Sequence, residues 1–407
     1  MKFSNITLAA SLLIAPCLLL AQADFSIGDY KFQVHGFASE GFMYSGNNNY
    51  LSAYTTNGSF AMTDAAANIS TKITDKFTVG AQVYLYNVGK LGDWKPQLDW
   101  AMGSYQFKGW FGIRAGKVKT TFGLFNDTQD QSFLSTFAML PQALYPIDRR
   151  DESLAHTGGD VYGSVPLKKR LGAFSYTAFA GNFADNAHSG YVLSLAPFGI
   201  DLKKFGGMEE GADLRWNTPV TGLLLGVSDM IQYPHGKGTC AATSPYCLYA
   251  NEGGPGPFWQ KYRKDFSTQF FGEYTRGPFT LDAEYRRTAQ IHTFFSGAGA
   301  VQYDARAFYV SASYRLSRKF VLGSYYSRLL IHNIPFGSTA AGPPGYVLDK
   351  VAVLRYDATN YWNLKLEGHF MDGTGLPQVP WGFYSQVNPD GLQNKTPLLL
   401  IRSSWFF

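Results

Sequence analysis

Between positions 127 and 152 the chain gathers Asp127, Asp130, Asp148, Arg149, Arg150, Asp151 and Glu152. Carboxylates and guanidinium groups set this close, in a long connection, would bias which charged solutes pass or bind. A second set of ionisable residues recurs at alternate positions of alternating segments. It comprises Arg114, Arg215, Arg286, Arg328, Arg355, Lys365 and Arg402 against Asp213, Glu273, Asp282, Glu284 and Glu367. Seven basic residues against five acidic ones give a mild preference for anions on any surface they share. Bond-breaking chemistry has less to work with. The seven histidines, His35, His156, His188, His235, His292, His332 and His369, are scattered, and most fall in or beside loops. No GxSxG, HExxH or phosphate-loop pattern occurs.

Cys240 and Cys247 share one polar segment rich in Gly and Pro. With only His235 nearby they fall short of a tetrahedral metal set, and in an oxidising compartment such a pair reads as a loop-closing disulfide. No metal or cofactor is implied.

That compartment follows from the N-terminus. Lys2, an apolar run from Leu8 to Leu20 and the small residues Ala21 and Ala23 make residues 1–23 a secretory signal peptide. The mature chain is then 24–407, a single unit. Nothing downstream is apolar for long enough to cross a bilayer as a helix. Charged residues make up only 16% of the chain, and Tyr (26), Phe (32) and Gly (43) are abundant, which excludes a disordered chain. A net charge of +5 over 407 residues excludes a nucleic-acid footprint.

What positions the charges is a repeated strand pattern. In 279–288, Phe279, Leu281, Ala283 and Tyr285 alternate with Thr280, Asp282, Glu284 and Arg286. In 361–370, Trp362, Leu364, Leu366 and Phe370 alternate with Asn363, Lys365, Glu367 and His369. Sixteen such segments are predicted: 31–45, 60–71, 76–88, 96–106, 110–118, 157–166, 170–182, 208–216, 219–232, 265–275, 278–290, 303–315, 319–331, 347–357, 360–371 and 395–407. Short and long connections alternate strictly between them, the third long one being 119–156. This is the layout of an all-β, transmembrane antiparallel up-and-down barrel, with tight turns at one rim and long extracellular loops at the other. About 11 residues at roughly 3.3 Å each, tilted near 45°, span about 25 Å, the height of an outer-membrane apolar band. Trp216, Tyr274, Tyr314, Tyr356, Trp362 and Trp405 all fall near short turns or the C-terminus and would ring the periplasmic interface.

The chain ends Arg402-Ser-Ser-Trp-Phe-Phe407. A terminal Phe407, with Trp405, Ile401 and Leu399 at alternate positions before it, resembles the C-terminal assembly signal of Gram-negative outer-membrane proteins. Gly112-Ile-Arg-Ala-Gly-Lys-Val-Lys-Thr-Thr-Phe-Gly-Leu-Phe-Asn-Asp127 is similar to the strand leading into loop 3 of large porins, particularly relatives of the phosphate-selective porins. Leu140–Pro146 and Arg149-Arg150-Asp151 look like the same region. The resemblance implies a sixteen-stranded, trimeric, water-filled diffusion channel whose third loop folds inward and narrows the bore. It also implies partners: outer-membrane lipid and lipopolysaccharide, the barrel-assembly machinery, and small hydrophilic solutes.

On this reading the loop charges form the constriction, and Arg114, Arg215, Glu284, Arg286, Arg328, Arg355, Lys365 and Arg402 line the wall. A short helix is expected near Asp127–Leu140, ended by Pro141. Tyr84, Tyr86 and Tyr326 at lumen positions would suit a sugar track. A phosphate channel would need a dense arginine ladder, which the sequence does not place. A triad assembled from distant positions leaves no motif, so an outer-membrane hydrolase stands as the rival class.

Overall fold

The computed structural model describes residues 23–168, 171–241, 256–295, 300–333, 345–375 and 386–407. The expected signal, 1–22 of its 23 residues, lies outside them. A short strand β1 (Ala23–Ile27) is followed by β2 (Tyr30–Ser45), β3 (Met62–Lys72), β4 (Phe77–Val88), β5 (Gln97–Lys108), β6 (Phe111–Lys119), β7 (Ala155–Pro166) and β8 (Ala173–Asp185). Then come β9 (Ile200–Asn217), β10 (Leu223–Cys240), β11 (Gly256–Arg276), β12 (Phe279–Phe295), β13 (Ala300–Arg315), β14 (Phe320–Asn333), β15 (Tyr346–Thr359), β16 (Trp362–Asp372) and β17 (Lys395–Phe406).

From β2 onward each strand pairs antiparallel with the next, and β17 returns to pair with β2 from Leu398↔Ser45 to Phe406↔Phe37. The result is a closed sixteen-stranded barrel. β1 folds back on the start of β2 as an added hairpin. At the seam, Gly36 and Phe407 exchange both backbone hydrogen bonds (3.2 and 3.0 Å). A Cβ on Gly36 would stand 2.7 Å from the Phe407 ring, so the last residue needs a glycine beneath it.

The faces are inverted relative to a soluble protein. Leu225, Phe270, Leu281, Leu322, Leu366 and Ile401 are exposed on the outside, while Ser228, Gln269, Glu284, Ser311, Ser327 and Glu367 are buried inside. The first set forms an apolar belt round the outside. Backbone groups in hydrocarbon have no water to bond, which is why the sheet closes on itself. At the short-turn rim Trp362 stacks on Trp405 (6.1 Å), Trp216 on Phe174 (6.0 Å), and Tyr356 packs on Phe320 (5.0 Å), each pair opposite in register.

All sixteen expected segments are strands, but four are much taller than the alternation indicates. β9, β10, β11 and β12 run 18, 18, 21 and 17 residues, extending past the long-loop rim. Above the apolar band both faces meet water or protein, so alternation no longer marks the strand. Lys261–Lys264, read from the sequence as loop, therefore lies in β11. Phe183, Ile200, Leu202, Phe205, Phe258 and Tyr262 form a separate core inside this wall, together with Tyr191 of a short helix α1 (Gly190–Leu195). Cys240, at the top of β10, is disulfide-bonded; Cys247 lies outside the described residues.

Candidate functional site: the loop across the bore

The connection between β6 and β7, residues 120–154, is loop 3. At its root the Thr120 N–H donates to the Leu154 carbonyl (2.9 Å), and the Asn126 side-chain amide reaches the carbonyls of Thr120 and Ser153, both at 2.8 Å. Thr120, His156 and Glu209 meet behind this neck: the Thr120 hydroxyl is 2.9 Å from His156 Nδ1 and donates to Glu209 (3.1 Å). Hydroxyl, imidazole and carboxylate are all fully buried, so no substrate reaches them. They hold the neck.

From there the loop turns into the barrel and is seated on two arcs of wall separated by β14. On β9–β13, Arg215 donates to the Gly123 carbonyl (2.8 Å), and Glu284 accepts from the Leu124 N–H (3.0 Å) and the Tyr145 hydroxyl (2.7 Å). Tyr309 donates to the same carboxylate (2.8 Å), and Arg286 lies over the Phe122 ring (5.0 Å). On β15–β17, Arg355 donates to Ser135 O (2.8 Å), Lys365 to Phe137 O (2.9 Å) and to Ser132 O, and Arg402 to Ala138 O (2.9 Å). Glu367 accepts the Ala138 and Met139 N–H groups (2.8 and 3.1 Å).

These bonds explain why the helix expected over Asp127–Leu140 is absent. Only a single 3₁₀ turn, Asn126–Thr128, forms there, with another at Ile147–Glu152. Between Ser132 and Met139, the carbonyls and amides that a helix would pair internally are taken by charged wall side chains. Hydrogen bonds to charged groups contribute about 1.5–3 kcal/mol each, roughly twice a neutral one.

Near β4 and β5 the contacts are between side chains. Arg150 pairs with Asp99 (2.5 Å) and Asp130 (3.4 Å) and lies over the Tyr84 ring (4.2 Å). Lys119 bridges Asp130 (2.8 Å) and Asp99 (3.2 Å), and Asp151 accepts from Arg150 (3.1 Å). Burial pushes the Asp130 carboxyl above its ordinary value, with Lys119 and Arg150 opposing the shift. Arg149 pairs with Glu152 (2.6 Å), whose carboxyl burial raises to about 7 against the pull of Arg149. Asp148 is raised to about 6, also by burial. Asp127 is half-buried, on the side of Arg215. Beneath the loop a cavity of about 260 Å³ is lined by Asp64, Tyr84, Tyr86, Phe125, Phe137, Tyr145, Arg150 and Arg402, among others.

Three solved structures share this architecture. OmpT of Vibrio cholerae superposes with a TM-score of 0.57 at 11% identity, covering 95% of this chain and 100% of that one. The outer-membrane channel DcaP of Acinetobacter baumannii gives 0.54 at 10% identity, over 95% and 100%. An anion-selective porin from Comamonas acidovorans gives 0.52 at 10% identity, over 93% and 100%. No family model and no curated protein matches the chain. The fold is that of the porins; at these identities the likeness extends to the fold alone.

Of the residues selected from sequence, Arg215, Glu284, Arg286, Arg355, Lys365 and Arg402 face inward and come together around loop 3. Arg114 also faces inward but is engaged by Asp160 (2.7 Å), away from the loop. Arg328 is the exception. It shares the outward parity of Leu322, and the wall assignment is corrected accordingly. Tyr326 likewise faces out, against Phe308 (5.9 Å), and does not join Tyr84 and Tyr86 inside. Ser324 and Tyr326 on one face of β14 mirror Tyr325 and Ser327 on the other, so hydropathy does not choose between them. Packing does: Tyr325 meets Phe137 of loop 3 (4.9 Å). The sequence reading missed Asp99, Lys119 and Asp64. A register shift between Gln82 and Val83 obscured the parity of β5 around Asp99. Among the described residues no group of three or more His, Cys, Asp or Glu could hold a metal.

Proposed function

We propose that the chain is an outer-membrane porin: an exported channel through which small hydrophilic solutes and ions diffuse passively, with loop 3 as its constriction. The observation that carries this reading is a closed sixteen-strand barrel with a loop fixed across its bore by wall charges. A barrel of that size is wider than its own side chains can fill. Diffusion down a gradient needs no energy source or cofactor.

Selectivity in this reading is weak. Among the residues selected from sequence the tally without Arg328 is six basic against five acidic, but the inward Asp64, Asp99, Asp160 and Glu209 outnumber the added Lys119, and most of the basic residues are bonded to the loop or to a carboxylate. The mild anion preference expected from the sequence is not carried by that wall, and nothing supports a phosphate-specific ladder. A trimer is supported by the outer face of β2–β5, where Ala38, Ala65, Ala67, Ala81 and Ala101 let a second barrel approach closely.

Reconstitution in a planar bilayer tests the proposal. Discrete ohmic conductance steps are expected, with a reversal potential close to zero in a KCl gradient. Absence of steps from folded protein overturns the channel; a strong preference for either ion overturns the weak selectivity. Arg149→Glu or Arg150→Glu should shift the reversal potential towards cations, and no shift removes these residues from the solute path.

A further inference from the structure

Four cations stand in a row on the outer face of the barrel, where side chains should be apolar. Arg287 on β12 is directly opposite Arg306 on β13. Arg306 is one diagonal step from Arg328 on β14, because Arg306 pairs with Leu330 and Phe308 with Arg328. Arg328 is in turn one diagonal step from Lys350 on β15, because Arg328 pairs with Leu348 and Tyr326 with Lys350. Each shares its parity with an exposed hydrophobic residue of the same strand: Tyr285, Val310, Leu322 and Leu354.

Two carboxylates stand beside the row: Asp304, and Asp372 on β16 one diagonal step from Lys350, because Lys350 pairs with Phe370 and Leu348 with Asp372. Asp304 sits 3.2 Å from Arg287 and 3.8 Å from Arg306. Among the described residues no carboxylate pairs with Arg328 or Lys350, and Arg328 Nε is buried without a hydrogen-bond partner. Four cations against two carboxylates leave a net excess of two positive charges, and Arg328 is without a carboxylate partner. Like charges placed directly opposite weaken a sheet, and guanidinium groups are costly at the middle of a bilayer but cheap near its surface.

The level of the row locates it. Arg287, Arg306 and Arg328 each stand eight residues from the aromatic at the short-turn end of their strand, Phe279, Tyr314 and Phe320. That is roughly 19 Å up a band about 25 Å tall. Lys350 starts lower but its long side chain reaches upward. The arginine backbones thus lie about 6 Å below the long-loop edge of the band, and their long side chains reach from there towards the headgroups of that leaflet.

We propose that this row binds the phosphate groups of lipopolysaccharide, arginine matching phosphate by paired N–H donors. The inference rests on the outer-membrane reading above and adds a lipid site to it. Purified full-length protein in detergent, titrated with bisphosphorylated lipid A and with the same lipid dephosphorylated, tests it by native mass spectrometry. Wild type should bind the phosphorylated lipid at least tenfold more tightly. Combining Arg287→Gln, Arg306→Gln and Arg328→Gln should weaken that binding about a hundredfold, at about fivefold per cation. Should the triple variant not fold, Arg306→Gln alone tests the same site, with a loss of about fivefold expected.

Equal affinity for the two lipids, or no change in the variants, overturns the proposal. So does a change in oligomer mass without a change in lipid binding, which would assign the row to a contact between copies. Conductance in a bilayer free of lipopolysaccharide is read separately. Wild type that binds lipid A but opens no channel would overturn the porin reading and leave the lipid site standing.

Discussion

Loop 3 is held in two different ways. Against β15–β17 charged wall side chains bind the loop mainly through its backbone, four carbonyls and two amides from Ser132 to Met139, with Ser132 Oγ on Ser404 Oγ (3.0 Å) and Phe133 stacked on Phe406 (4.4 Å) as uncharged side-chain contacts. Against β4 and β5 both partners are side chains, with Arg150, Lys119, Asp130 and Asp99 neutralising one another. The first seat specifies the path of the loop and uses no charged loop side chain. The second specifies residues and carries a charge balance that titrates.

The largest test of that contrast removes a wall charge. Glu367→Gln or Lys365→Met strands buried polar groups of its partner, which costs about 3–5 kcal/mol where a buried ionic contact is broken. Loop 3 should leave the wall, seen as a lower Tm and a larger, noisier conductance. An unchanged conductance would show that the loop keeps its path without this seat. Arg150→Gln should cost somewhat less, about 2–4 kcal/mol, because Lys119 still lies between Asp99 and Asp130. Its signature is electrostatic, a shift of the reversal potential towards cations with little change in step size. If step size changes as much as in Glu367→Gln, the two seats are not distinct.

Acidity separates them further. The carboxyls of Asp148 and Glu152 titrate near 6 and 7 in the folded loop, above about 3.9 and 4.3 in an unfolded chain. Groups raised on folding favour the native state below their unfolded values and lose that contribution as pH rises through the folded ones. Loop 3 should therefore be firmer and less negative at pH 5 than at pH 8, and the reversal potential should move towards anions on acidification. Asp148→Asn should remove the part of that shift centred near pH 6; a curve that keeps it puts the titration elsewhere. The smallest effect is expected from loop side chains on the backbone-held seat. Ser135→Ala, measured by Tm, should cost less than about 1 kcal/mol, since the carbonyl that Arg355 binds survives the substitution.

The same contrast explains what the sequence made legible. Strands within the apolar band announce themselves because lipid and lumen demand opposite residues at successive positions, as in Leu364–Phe370. The tall parts of β9–β12 do not, since no lipid faces them. The inward fold of loop 3 came from a resemblance, but its non-helical path was illegible: the competing partners, Arg355, Lys365, Glu367 and Arg402, lie more than two hundred residues away. Arg328 was placed in the lumen because β14 carries near-identical polarity on both faces, and only contact with Phe137 decides its register.

The seam between Gly36 and Phe407 has a consequence for biogenesis. The strand that seals the cylinder comes last of the sixteen in chain order, while its partner comes first. No partial chain contains a closed ring, so every truncated or nascent form presents two raw sheet edges. Completion is therefore a single late event, and until it happens the polypeptide depends on being chaperoned.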